Sequence, residues 1–125
     1  MKNVINWFEI PATDYERAKK FYSTVLEVEI QDHHMPEKEM KYGMFPYGME
    51  ENGVGGAIAQ MKEMKPSADG CTVYLNGGND LSVALGKVEA AGGTIIIPKT
   101  DIAENGFFAQ FIDTEGNRIA LHSMN

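Results

Sequence analysis

Glu9, Arg118 and His122 carry the side chains best suited to proton transfer and charge stabilisation. Histidine titrates near neutrality and serves as a general acid or base. A carboxylate can do the same work. A guanidinium can neutralise developing negative charge, or hold a carboxylate or phosphate in bidentate fashion. Each has a plainer assignment as well. His122 can be a terminal histidine half in water, Glu9 can hold Arg118 in an ion pair, and Arg118 can sit at a hairpin edge in solvent. Strand alternation has a period of two. It puts Arg118, Ala120 and His122 on one face, opposite the apolar Ile119 and Leu121, which should lie under a helix. The same alternation groups Ile5, Trp7 and Glu9 against Phe8 and Ile10, and it groups Thr72, Tyr74 and Asn76. Aromatic walls from Trp7 and Tyr74 with a few polar groups are the usual make-up of a small-molecule site.

Other chemistry-bearing residues are less well placed. His33 and His34 are adjacent, near Glu37 and Glu39. On a strand adjacent side chains point to opposite faces, so the two could share a metal only in a loop, and a solvated loop is the simpler reading. Met35, Met40, Met44 and Met49 serve equally as core filling or as an adaptable pocket wall. Gly55-Gly56 lets a strand bend or approach a ligand. Cys71 has no basic neighbour in sequence to activate its thiol.

Composition narrows the field. The 125 residues include 11 Lys+Arg and 18 Asp+Glu, a net charge of −7. A chain this acidic, with no basic cluster, repels phosphate backbones, which argues against nucleic-acid binding. No window approaches the roughly 20 apolar residues of a membrane span. The opening Met1-Lys2-Asn3-Val4 has no signal-peptide core. The single Cys71 forbids an internal disulfide and any CxxC metal site. A cytoplasmic globular protein is expected.

The elements that must position these residues follow in order. Residues 4–10 read as a strand, closed by Pro11. Thr13 and Glu16 fit a capping box, and Tyr15, Ala18, Phe21 or Tyr22, and Val25 give a helix over about 14–25. Strands are expected over 26–33, 40–45 and 54–62, with a polar loop at 33–39. A linker of about 63–69 contains Pro66 and Ser67. The pattern then restarts: a strand at 71–76, a helix bearing Leu81, Ala84, Leu85, Val88 and Ala91 on one face, and Gly92-Gly93 as its stop. Strands at 94–97, 107–112 and 117–123 follow, the last two joined at Asp113-Thr114-Glu115-Gly116. Asp14 and Asp80, Ala18 and Ala84, and Tyr22 and Val88 share one offset, and Ile58-Ala59 echoes Ile119-Ala120. The order is thus βαβββ twice, in modules of about 1–62 and 70–125 within one domain. A ferredoxin-like βαββαβ order would place fewer strands between the helices.

This layout resembles the vicinal oxygen chelate superfamily, which includes glyoxalase I, fosfomycin- and bleomycin-resistance proteins and extradiol dioxygenases. The likeness rests on Phe8-Glu9-Ile10-Pro11, on Asp14-Tyr15-Glu16-Arg17-Ala18 with Phe21-Tyr22, on Val88-Glu89-Ala90-Ala91-Gly92-Gly93 and on Asp113-Thr114-Glu115-Gly116-Asn117-Arg118-Ile119. It is nearest to small bacterial glyoxalase-like proteins. The resemblance implies an α+β fold of two βαβββ modules, the glyoxalase/bleomycin resistance/dihydroxybiphenyl dioxygenase fold. Its mixed sheet curls into a half-open barrel around a pocket, with helices outside and a homodimer as the usual assembly. Metal-binding members place His, Glu or Gln on the first and last strand of each module. Aligned by strand cores, those positions fall here at Ile5, Ala59, Thr72 and Ala120, with Asn6 the alternative to Ile5. None is a ligand of that kind, so no metal or other cofactor is expected. A fold of this breadth does not fix a reaction. The resemblance leaves a metal-free lyase or isomerase using Glu9 or His122 as base and Arg118 as charge partner. Its rivals are a non-catalytic sequestering protein of the bleomycin-resistance type and a metal-dependent lyase or dioxygenase with a rebuilt site.

Overall fold

The structure is a computed structural model that describes residues 2–37 and 39–125; Lys38, in the expected polar loop, lies outside the described residues. β1 (Trp7–Pro11), α1 (Tyr15–Leu26), β2 (Gln31–His33), β3 (Lys41–Met44) and β4 (Gly55–Gln60) are followed by β5 (Val73–Asn76), α2 (Ser82–Val88), β6 (Thr94–Asp101), β7 (Phe107–Ile112) and β8 (Arg118–Ser123). Short 3-10 turns precede β4 and β7. Two four-stranded mixed sheets result, ordered β1-β4-β3-β2 and β5-β8-β7-β6. In each sheet the first and last strands pair in parallel and the remaining pairs are antiparallel. The two sheets do not join into a closed barrel, and the βαβββ order occurs twice, as in the glyoxalase-type fold.

α1 forms because Tyr15, Ala18, Phe21, Tyr22 and Val25 make one buried stripe while charged residues take the other side. Asp14, not Thr13, is the N-cap: its side chain accepts from the Arg17 N–H at 3.1 Å. The Thr13–Glu16 capping box is replaced by a distant acceptor. Glu115 Oε1 takes the N–H groups of Thr13 and Asp14, both at 2.9 Å, and its other oxygen takes Arg17 Nε at 2.7 Å. The helix ends at Glu27 in the left-handed region, with φ 54°. That closure converts residues 26–30 into a connection, so β2 is shorter than the sequence pattern predicts. β1 starts later than expected, because Val4 is 97% exposed and has no sheet to join. β6 runs on through Pro98 to Asp101, which an edge strand permits, and its register against β7 shifts between Ile95 and Ile97 and between Ile97 and Thr100.

One core joins both halves. Ile10, Phe21, Tyr22, Phe45 and Ile58 belong to the same buried cluster as Leu81, Val88, Phe111, Ile119 and Leu121. Phe21 of α1 lies 5.7 Å, centroid to centroid, from Phe111 of the second sheet. The β7–β8 turn locks this packing. Tyr22 donates its buried hydroxyl to Asp113, and Asn117 donates its side-chain N–H to the same carboxylate and to Pro11 O. The helix-facing sides of both sheets therefore share this core, and their opposite sides face outward. Among the described residues no helix is long and apolar enough to cross a membrane.

Candidate functional site on the outward sheet faces

The first sheet's outward face is fixed by register. Trp7 pairs with Gly55, Glu9 with Ala57, Tyr42 with Ala59 and Met44 with Ala57. Because paired residues share a face, small residues floor a shallow basin and larger side chains lean over it. Ala57 and Ala59 are fully buried while Trp7 keeps 36% of its surface. Tyr42 organises the polar groups. Its hydroxyl accepts from Trp7 Nε1 at 2.9 Å and donates to Glu9 Oε2 at 2.6 Å. The direction is forced, since indole only donates and a carboxylate only accepts. Burial, and then the bond to Glu9, raises the Tyr42 pKa, so the phenol stays neutral. Tyr47 packs edge-on against Trp7, and His33 against Tyr42.

The second sheet's outward face carries Arg118, Ala120 and His122 of β8, with Tyr74 of β5 and Phe108 and Gln110 of β7. Arg118 is held twice, by Gln110 Oε1 at 2.9 Å and by Ala68 O at 3.1 Å. Gln110 in turn donates to the Tyr74 hydroxyl at 3.4 Å, and Tyr74 leans on Phe108 while remaining 53% exposed. His122 Nε2 lies 2.6 Å from Asn105 O. A carbonyl can only accept, so Nε2 carries the hydrogen, and Nδ1 is the lone-pair nitrogen of the neutral ring.

The expected residues thus fall into two groups. The Glu9–Arg118 ion pair is absent: Glu9 turns to Tyr42, and Arg118 to Gln110 and Ala68 O. Among the described residues no hydrogen bond, ion pair or ring contact joins Trp7 and Glu9 to Tyr74, Arg118 and His122. Asn76 pairs with His122 at the end of β5, and its Oδ1 accepts from Gly78 N at 2.9 Å. Ile5 precedes β1 and is 55% exposed, and Thr72 precedes β5. The equivalence of Ala59 with Ala120 also shifts. Ala12 N donates to Ala59 O as Gly77 N donates to His122 O, so His122 is the counterpart of Ala59. Tyr42 and Gln110 were missed. The alternation of Tyr42 with Met44, and of Phe108 with Gln110, was the available signal, but it does not say which partner strand either residue meets.

Comparison with known proteins places this geometry. Residues 4–121 match the Glyoxalase/Bleomycin resistance protein/Dioxygenase superfamily. The protein CFP32 of Mycobacterium bovis, whose name marks it only provisionally as a glyoxylase, is 27% identical over 124 residues, covering 96% of this chain and 45% of its own length. The chain therefore spans about half of the curated relatives it matches. Glyoxalase I from Zea mays shares the fold with a TM-score of 0.72 at 19% identity, over 94% of this chain and 45% of that one. A glyoxalase/bleomycin resistance protein from Albidiferax ferrireducens superposes with a TM-score of 0.70 at 16% identity, over 97% and 98% of the two chains.

The outward positions of the first and last strands bear on the metal of other members. In this chain they hold Trp7, Glu9, Pro11, Tyr74 and Asn76 on the first strands, and Gly55, Ala57, Ala59, Arg118, Ala120 and His122 on the last. Glu9 and His122 are the imidazole or carboxylate donors there; each already has a protein partner, and they stand on different sheets. Among the described residues no three His, Cys, Asp or Glu side chains gather into a metal-holding group. The donor set within one chain does not fit a divalent cation. With its duplicated βαβββ frame and its match from residue 4 to residue 121, the chain belongs to the Glyoxalase/Bleomycin resistance protein/Dioxygenase superfamily.

Proposed function

We propose that this protein binds a small organic molecule between outward sheet faces, as a homodimer in which the first module of one chain covers the second module of its partner. The observation that carries the reading is the Trp7–Tyr42–Glu9 array, a hydrogen-bonded donor, relay and carboxylate on an open basin. The exposure of Trp7 and Tyr74 supports a covering partner. So does length, because CFP32 and the maize enzyme have room for two such units in one chain.

Within that pocket the chemistry is proton transfer without a metal, of the lyase or isomerase class. Glu9, held by Tyr42, takes a proton from a carbon beside a carbonyl. Arg118 has three N–H donors left after its bonds to Gln110 and Ala68, and it neutralises charge on the carbonyl oxygen. His122 offers Nδ1 as the second base. The second reading is binding without turnover, favoured by the anchoring of both Arg118 and His122 to protein groups. Trp7 fluorescence against a metabolite library reads binding, and product analysis of each hit separates the two. Glu9→Gln and His122→Asn should abolish turnover while leaving binding within a few-fold. Turnover that survives both variants overturns the catalytic reading. A monomer in light scattering at working concentration overturns the shared pocket.

A further inference from the structure

The repeat lets one half of the molecule be compared with the other, and the halves pack their shared core differently. On one side the Phe21 ring packs at a tilt against Phe111. Gly93 comes so close that a Cβ there would meet the Phe21 ring at 3.0 Å. At the repeat offset Lys87 stands for Phe21, Phe45 for Phe111 and Glu27 for Gly93. Phe45 N donates to Gly56 O, in the place where Phe111 pairs with Ile119, so glycine also replaces isoleucine. The ring-on-glycine contact becomes a Lys87–Glu27 ion pair. The space filled on the first side is a cavity of about 590 Å³ on the second, walled by Phe8, Phe45, Leu75 and Val83, with Lys87, its partner Glu27 and the Lys99-paired Asp80 also in the lining.

Two features of this cavity run against ordinary packing. An open apolar volume forfeits dispersion contacts. The Lys87 Nζ atom is buried, and its one charged partner among the described residues is Glu27, whose side chain is 68% exposed. A buried ammonium is costly until acceptors surround it. The other half of the same fold supplies the filled, uncharged alternative. Such departures mark functional sites.

We propose that this cavity binds a small apolar carboxylic acid, with its hydrocarbon part against Phe8, Phe45 and Val83 and its carboxylate on Lys87. Glu27, the exposed member of the pair, swings into solvent as the ligand carboxylate takes its place on Lys87. A carboxylate can take the place of Glu27 on Lys87, whereas an ammonium would meet the like charge of Lys87, so that side chain favours the acid. The volume suits a small ligand, and the site lies on the helix side of the sheets, apart from the outward faces.

The test compares octanoate, octanol and octylamine, which share a tail and differ in head group. Binding is followed by methyl NMR at Val25, Val83 and Ala84 and by calorimetry. Octanoate should shift these methyls and bind about tenfold more tightly than octanol, with octylamine weakest. Lys87→Met should bring octanoate down to the octanol level, and Glu27→Gln should strengthen it. Ala84→Phe should block all three compounds; Val83→Trp, at the exposed rim, does the same duty if Ala84→Phe fails to fold. The proposal is overturned if no compound shifts these methyls, if octylamine matches octanoate, or if Lys87→Met leaves octanoate binding unchanged.

Discussion

Tyr42 places one hydroxyl between two side chains of opposite hydrogen-bonding character, the Trp7 N–H and the Glu9 carboxylate. Both neighbours are exposed, so water can replace the hydroxyl. Tyr42→Phe should therefore change folding stability by less than about 1 kcal/mol. It should nonetheless free the indole, lowering Trp7 fluorescence anisotropy, and weaken any ligand that Trp7 and Glu9 hold together. A loss of several kcal/mol in denaturant titration would mean instead that the hydroxyl is part of the fold. Strand parity made Trp7 and Glu9 legible in the sequence as one face, and likewise Arg118 and His122. Their partners were not legible. Tyr42 arrives from β3 and Gln110 from β7, and side-chain bonds across strands depend on register, which no local pattern states. The expected Glu9–Arg118 pair failed for the same reason: opposite charges were matched without knowing that they stand on separate sheets.

At the scale of elements, the start of α1 is secured from far along the chain. Glu115, in the β7–β8 turn, accepts from the first backbone donors of the α1 segment and pairs with Arg17. Burial works to raise its pKa, but Arg17, the Asp14 N–H and the hydroxyls of Thr114 and Thr13 overcome it and hold the group at about 2, below its ordinary 4.5. A lowered carboxylate pKa stabilises the fold above the unfolded value and loses that contribution as pH falls through the folded one. Glu115→Gln should thus cost about 1–3 kcal/mol near neutrality, and its deficit against the parent should shrink between pH 4.5 and 2. Thermal denaturation of both proteins across that range checks the sign. The sequence placed the helix within a residue or two at either end, because its apolar stripe is local. It mistook the cap, because a carboxylate so distant in sequence leaves no mark beside Thr13. β2 was over-extended for a related reason: Val28 and Ile30 have strand chemistry, but the left-handed Glu27 spends them on closing α1.

For the whole molecule, the duplicated order was readable and the shared core was not. Two repeats could fold as two units, each with its own transition. Here Phe21, Tyr22, Phe111, Ile119 and Leu121 lie in one cluster, and Asp113 and Asn117 tie the second module to Tyr22 and Pro11. Unfolding should be a single cooperative step, with calorimetric and van't Hoff enthalpies in agreement; two resolved transitions would contradict the shared core. The outer edges of the two sheets have a different consequence. β2 is three polar residues long, and β6 is interrupted by Pro98 and by two shifts of register. Neither offers a long flat row of free backbone donors and acceptors to another chain. Growth by strand addition at β2 and β6, a route to fibrils, is discouraged while the broad faces stay open for association. Straightening β6 with Pro98→Val should remove that safeguard, and dye-monitored aggregation under agitation should then begin sooner than in the parent.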